Sequence, residues 1–436
     1  MIRATLTALI AMVCSLPAWA VEIQEVTSPG GITAWLVEDS SIPFVALDIR
    51  FQGGTSMDAP EDRGAVYLMT GLLEEGAGEL DAQGFAQATE ALAAGFSFNA
   101  YRDSVSVSVE MLTQNRDQAA DLLRQALITP RFDQDAFDRV RGQVMALIES
   151  NLQDPDSIAQ ERFNALAFGA HPYGSSQLGT VETVSALTRE DMVATHTAVF
   201  ARDRVYVGAA GDISAEELGL LLDTLLGDLP AEGAPLPGPA EYLLEGGTTV
   251  VDFPTPQSVA VFGHRGIERT DPDFFPAFVL NQIMGGGNFR SRLMREVRIA
   301  RGLTYGIYSY LALSDHQPMI AGQFSSSNDL VAEAVAVTRD QWADIAANGV
   351  TDEELRDAIT FMTGAYPLRF DGNDTIAGIM AGMQQDGMPV DYIATRNAQV
   401  EAVTMDDIRR VAGEFLQPDG LHFVVVGQPE GLGPSN

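Results

Sequence analysis

Apolar and polar positions alternate along several short stretches of the chain. Residues 44–51 (FVALDIRF) and 258–264 (SVAVFGH) alternate with the period of two that marks a half-buried strand. A helical pattern follows the second of them, over residues 274–284. Residues 95–112 (GFSFNAYRDSVSVSVEML) read as a strand hairpin, and the spacing over 133–153 and 330–347 predicts two long helices. Residues 205–211 and 421–427 are short apolar runs, each ending in glycine, and read as buried strands.

These elements recur. Residues 184–192 (VSALTREDM) match 400–408 (VEAVTMDDI) at a spacing of 216 residues, and the apolar runs 205–211 and 421–427 keep that spacing. In each matched segment a threonine precedes an aspartate by three positions, Thr188 with Asp191 and Thr404 with Asp407. That is the geometry of a capping box, with aspartate in the usual place of glutamate. Between the halves, residues 226–246 (LGDLPAEGAPLPGPAEYLLEG) are rich in proline and glycine and read as an exposed linker. The expected fold is therefore α+β: two homologous domains, 21–225 and 247–436, each a mostly antiparallel sheet with helices packed on one side. A ligand is expected in the cleft between such halves.

Composition narrows the setting. The chain has 436 residues, 60 acidic against 26 basic, for a net charge of −34. The acid is spread along the chain, which describes a self-repelling surface ill-suited to nucleic acid or anionic membrane. A salty habitat accounts for it more simply than a basic ligand does. Residues 1–20 have the form of a secretory signal: Arg3, an apolar stretch over 4–14, then Ala18-Trp19-Ala20. Cleavage there leaves a mature chain from about Val21 and implies a periplasmic location. Cys14, the single cysteine, falls inside the signal, so the mature chain has neither thiol nor disulfide.

Most catalytic chemistries are excluded by spacing. The five histidines, His171, His196, His264, His316 and His422, are never closer than 25 residues, so no helix presents the paired imidazoles of a zinc site. A site assembled from His171 or His196 with distant residues is a separate alternative, although His171 in Ala170-His171-Pro172-Tyr173-Gly174 reads as part of a turn. Cysteine catalysis has no thiol to use, and no Gly-x-Ser-x-Gly elbow is present. The run Gly285-Gly286-Gly287 lacks the following Lys-Ser/Thr of a phosphate loop. Paired acids such as Glu74-Glu75 read as solvated faces or caps.

One segment stands apart. Residues 298–305 read Arg-Ile-Ala-Arg-Gly-Leu-Thr-Tyr, placing a guanidinium (Arg298) and a phenol (Tyr305) on either side of Gly302, just after Gly285-Gly286-Gly287-Asn288-Phe289. On the residues alone, Arg298 caps a helix end and Tyr305 is a core aromatic of the strand that follows. With that segment, Arg50-Phe51-Gln52-Gly53-Gly54, Asp154-Pro155-Asp156-Ser157 and Pro172-Tyr173-Gly174, nearly the whole mature chain resembles the pitrilysin/insulinase family of zinc peptidases, which includes the mitochondrial processing peptidases. Residues 64–71 (GAVYLMTG) then fall where that family writes His-x-x-Glu-His. The resemblance puts Tyr67 at the first histidine, Thr70 at the glutamate and Gly71 at the second histidine. Glu149 lies near the place of the family's third ligand, but its distance to Pro155 sets it out of register.

The resemblance implies a divided machine. Tyr67, Thr70 and Gly71 cannot hold zinc, so nothing here lowers the pKa of a water. Arg298 and Tyr305 match the pair that the family's C-terminal half contributes to substrate and transition state, and Gly285, Gly286, Gly287 and Gly302 belong to the substrate cleft. A phenol can donate to a developing oxyanion, and a guanidinium can grip a carbonyl or carboxylate. The expectation is a zinc-free subunit, with no cofactor of its own, of a heterodimeric peptidase whose homologous partner carries zinc and whose substrate is an unfolded peptide. The alternative is a catalytically inactive peptide-binding or scaffold protein resembling the core proteins of respiratory complexes.

Overall fold

The computed structural model describes residues 22–287 and 289–433; the signal read over residues 1–20 lies outside them. Strands β1 (Gln24–Thr27), β2 (Thr33–Glu38) and β3 (Phe44–Gln52) are followed by a small ribbon of β4 (Gly76–Ala77) and β5 (Leu80–Asp81). Then come β6 (Gly95–Ala100), β7 (Ser104–Leu112) and β8 (Val205–Gly211). The second half contributes β9 (Gly247–Asp252), β10 (Gln257–Arg265), β11 (Ile307–Ala312), β12 (Met319–Ser327) and β13 (His422–Gly427).

The duplication is visible in the topology. The first sheet runs β1-β2-β8-β3-β7-β6 and the second β11-β12-β10-β13-β9. Without β1, the order β2-β8-β3-β7-β6 maps strand for strand onto β9-β13-β10-β12-β11. Each sheet has one parallel pair, β2 with β8 and β9 with β13, and it falls at the same place. The other pairs are antiparallel. Both matched segments form capping boxes: Thr188 N–H donates to the Asp191 carboxylate (2.8 Å) and Thr404 N–H to that of Asp407 (3.0 Å). The two long helices run over Gln134–Asn151 and Val331–Asn348.

Alternation along the strands decides what each face meets. Val45, Leu47, Ile49 and Phe51 of β3 point into the first half's own helices. Ala46, on the other face, meets the helix Asn373–Gln385, which comes from the second half. Its Ala377, Met380 and Met383 bury against Trp35, Ala46 and Ala210. The exchange is reciprocal. Helix Pro155–Phe168 of the first half lays Ala159, Phe163 and Ala167 on Val259, Val261, Val424 and Val426 of the second sheet. The two helices occupy equivalent points of the repeat. Each sheet thus has its own helices on one face and one helix of the other half on its second face, so each half's strands keep a second apolar face out of water only with the other's help.

The segment joining the halves, residues 226–246, mixes exposed and buried positions where the sequence reads as an exposed linker. Ala240 and Tyr242 are buried in the cluster under Pro155–Phe168, and Leu243 N–H donates to Ala167 O (2.8 Å). Tyr173, fully buried, donates its hydroxyl to the Asp103 carboxylate (2.6 Å) and accepts from His316 N–H (3.1 Å), a further tie across the halves. No helix among the described residues is long and apolar enough to cross a membrane.

Beneath the second sheet, His264 is locked as a neutral tautomer. Its Nδ1–H donates to Arg265 O (2.7 Å) and its Nε2 accepts from Trp342 Nε1–H (3.0 Å). Burial pushes its pKa down to about 4, against the pull of the Arg265 carbonyl. A depressed base is neutral in the fold while the unfolded chain takes up a proton near pH 6.5, so this contribution is present above that value and is lost as pH falls toward 4. Glutamine can keep both hydrogen bonds without titrating. Between pH 7 and 5 the parent is expected to lose about 2 kcal/mol relative to His264→Gln. Urea unfolding of both proteins at the two pH values cancels every other titrating group; parallel stability curves would refute the assignment.

Candidate functional site

The helix Ala65–Thr70 starts at Gly64, whose φ of +97° suits glycine, and is held at that end by Asp58. The Asp58 carboxylate accepts from Gly64 N–H (2.9 Å) and Val66 N–H (3.0 Å). Burial raises its pKa to about 7 despite those bonds and the nearby Arg63 charge. Along this helix Thr70 turns back on its own backbone, donating to Val66 O (2.8 Å), and Gly71 closes the last turn. Tyr67 opens onto a cavity of about 300 Å³ together with Arg102, Asn151, Glu161 and Asn164. Among the described residues its lining holds one carboxylate, Glu161, and no imidazole. Glu149 is exposed and does not line this cavity. Among the described residues no group of three histidine, cysteine or acidic side chains is placed to hold a metal. His171 caps the turn Pro172–Gly174 by accepting from Tyr173 N–H (3.1 Å), and His196 stacks on Phe200 with Nε2 at Leu127 O (3.0 Å).

The glycines of the second half do different jobs. Gly285 ends the helix Phe274–Gly285, and a Cβ there would lie 2.3 Å from Ser309 Oγ, so glycine lets this helix end press against β11. Gly287 (φ +80°) and Gly302 (φ +66°) have open space around them and are needed for left-handed turns. Between them Met294–Ile299 is a π-helical turn, in which Ala300 N–H reaches back five residues to Arg295 O (2.8 Å). Such turns are rare and gather at functional sites.

Arg298 sits on that turn, its guanidinium 4.7 Å from the ring centre of Phe289. The strand begins only at Ile307, so Tyr305 stands before it and is 85% exposed; it is no core aromatic. Phe289 (62% exposed) and Ile299 (61%) project from the same segment. A second cavity, about 480 Å³, lies beside it, lined by Gly286, Gly287, Tyr308, Tyr310, Arg269 and Phe278 among others. Tyr308 and Tyr310 stack along the edge strand β11, with ring centres 6.2 Å apart. The structure thus joins Gly286 and Gly287 to a tyrosine ledge and Arg298 to Phe289. Arg298 and Tyr305 do not line this cavity. Phe289, Tyr308 and Tyr310 have no role assigned from sequence; the period-two tyrosines at 308 and 310 are a signal for the ledge.

Residues 34–181 match the family described as "Insulinase (Peptidase family M16)", and residues 186–362 match "Peptidase M16 inactive domain". The chain belongs to the insulinase, or M16, family. It is 25% identical over 425 residues to "Non-peptidase homolog YmxG" of Helicobacter pylori, spanning 97% of each chain. It is 22% identical over 426 residues to the mitochondrial-processing peptidase subunit beta of Blastocladiella emersonii, spanning 93% of this chain and 88% of that one. The crystal structure of a peptidase M16 inactive domain from Pseudomonas fluorescens aligns with a TM-score of 0.88 at 27% identity, over 95% of this chain and 100% of the other. Within the M16 family this is a member lacking the zinc motif: the sequence holds no His-x-x-Glu-His.

Proposed function

We propose that the chain is the zinc-free subunit of an exported, heterodimeric M16 peptidase, and that it supplies Arg298 and Tyr305 to a peptide held at the partner's zinc. The single observation that carries this reading is the contrast between the two halves. The Ala65–Thr70 helix holds no metal ligand, whereas the 285–305 segment keeps an exposed phenol, a braced guanidinium and the turns that aim them. Tyr305, Phe289 and Ile299 are large side chains left exposed along one short segment. Edge strands β6 and β11 leave backbone groups open for an extended peptide to add as a further strand. A relative named as a subunit of a processing peptidase is in keeping with a shared assembly.

The test is co-expression with a homologous chain bearing His-x-x-Glu-His. The mixed pair is expected to cleave unfolded peptides and each chain alone to be inactive. Tyr305→Phe removes one oxyanion donor and should lower the pair's kcat on the order of 100-fold with KM little changed. An unchanged kcat would exclude the donor role, and one tightly bound zinc per purified chain would exclude the zinc-free assignment.

A further inference from the structure

The cavity beside the tyrosine ledge does not end there. Arg269 and Phe278 also line a larger cavity of about 510 Å³, so the two adjoin at these side chains. Four arginines converge on the larger part from four separate segments. Arg50 comes from β3, Arg269 from the connection after β10, Arg369 from the turn Tyr366–Arg369, and Arg396 from the helix Tyr392–Glu401. Every basic residue of this chain is arginine, 26 against 60 acids, so such a cluster runs against the composition.

The arginines are braced, and they outnumber the carboxylates that face them, Asp48 and Asp386. Arg50 pairs with Asp48 (2.8 Å) and donates to Gly378 O (3.0 Å). Arg269 lies over Phe274 (4.6 Å) and Tyr392 (5.4 Å) and bonds the Tyr392 hydroxyl (3.2 Å). Arg396 is 5% exposed, lies over Tyr366 (4.5 Å) and donates to Met362 O and Asn397 Oδ1, both at 2.8 Å. Burial pushes its pKa down, the direction of an uncompensated cation. Arg369 is exposed at the rim. Among the described residues no carboxylate forms an ion pair with Arg269, Arg369 or Arg396. Among the described residues one acid, Asp386, lines the cavity, and the Arg269 and Arg50 charges act on it without closing an ion pair. Elsewhere in the fold, buried Arg292 forms ion pairs with two carboxylates, Glu354 and Asp344. A guanidinium fork matches a carboxylate in shape, and the ring faces and methionines around it suit the apolar side chain beside one.

We propose that this arginine-lined bowl binds the carboxylate at the end of an extended peptide whose body lies along Tyr308 and Tyr310. The proposal rests on the peptide-binding reading above. The carboxylate can come from the peptide's C-terminus or from an acidic last side chain.

The experiment uses three fluorescein-labelled decapeptides of one sequence on the purified chain at low salt. One ends in phenylalanine with a free carboxylate, one in phenylalanine amide, and one in glutamate amide. N-acetylphenylalanine, followed by NMR, serves as a minimal probe. The free acid is expected to bind about 10-fold more tightly than the phenylalanine amide, with the advantage lost in Arg369→Gln and Arg269→Gln. Circular dichroism establishes that both variants are folded. A matching gain for the glutamate amide assigns the side chain as a second source. If all three peptides bind alike and the variants change nothing, the peptide reading survives and the bowl proposal is overturned. If no peptide binds but N-acetylphenylalanine does, in an Arg369-dependent way, the carboxylate site stands and the peptide reading falls. Binding by no probe overturns both.

Discussion

Gly208→Val is expected to destabilise the protein by about 3 kcal/mol, the upper end of what overpacking a core costs. Gly208 lies mid-strand on β8, under the helix Asn373–Gln385 donated by the second half. A Cβ there would stand 2.0 Å from Ala377 O and 2.9 Å from Ala381 N. Both are backbone atoms of a helix, so no side-chain rotation relieves the clash and the whole helix has to lift. Lifting it breaks Arg50 Nη2–Gly378 O (3.0 Å) and Gln384 Nε2–Val207 O (2.7 Å) and opens the Trp35–Met380 cluster to water. Gly378→Ala is the control. Its added methyl meets only Asp48 Oδ2 at 3.9 Å, and glycine-to-alanine within a helix stabilises by roughly 0.5–1 kcal/mol. Urea unfolding of both variants decides the matter: a Gly208→Val protein as stable as its parent means that the exchanged helix is not seated as described.

The exchange also marks the limit of what the sequence could tell. The duplication was legible because its signals are local: a threonine three positions ahead of an aspartate, an alternating run, an apolar run closed by glycine. The missing zinc motif was legible for the same reason, since His-x-x-Glu-His is a local pattern and the sequence does not contain it. Helix Pro155–Phe168 was different. The spacing of Ala159, Phe163 and Ala167 announces an apolar face and says nothing about which sheet covers it. Tyr305 was ambiguous because tyrosine suits a strand core and an exposed turn equally well; the two residues by which the strand starts late decide it. The arginine bowl was beyond reach, because residues 50, 269, 369 and 396 meet only through tertiary packing. The π turn under Arg298 has no sequence pattern of its own.

That turn depends on a buried ion cluster, and breaking the cluster is expected to have the other large effect. Arg292 forks onto Glu354, Nε to Oε1 at 2.7 Å and Nη2 to Oε2 at 2.9 Å, and also reaches Asp344 (2.7 Å). Arg295 adds a contact to Glu354 Oε1 (2.9 Å), and Thr351 N–H caps Oε2 (2.8 Å). Residues 292 and 295 are therefore clamped onto helices Val331–Asn348 and Asp352–Ala365, and the π turn between residues 294 and 299 rides on them. Burial alone would raise the Glu354 pKa; the Arg292 and Thr351 hydrogen bonds and the Arg292 charge outweigh it and hold it down to about 2. A depressed carboxylate stabilises the fold above its ordinary value of 4.5, and that share is lost as pH falls from there through 2. Glu354→Gln keeps the shape but leaves the buried Arg292 cation with Asp344 as its one carboxylate, which costs about 3 kcal/mol, the low end for breaking a buried pair. Arg292→Met with Glu354→Leu removes both charges and is expected to recover much of that loss. The single and double variants, unfolded in urea at pH 7, separate an unpaired charge from lost packing. If Glu354→Gln costs less than the double variant, the charge is not what matters. Amide exchange over residues 289–306 gives the functional readout: faster exchange there in Glu354→Gln, with the first half unchanged, means that the ion cluster holds Arg298 and Tyr305 in place as well as the fold.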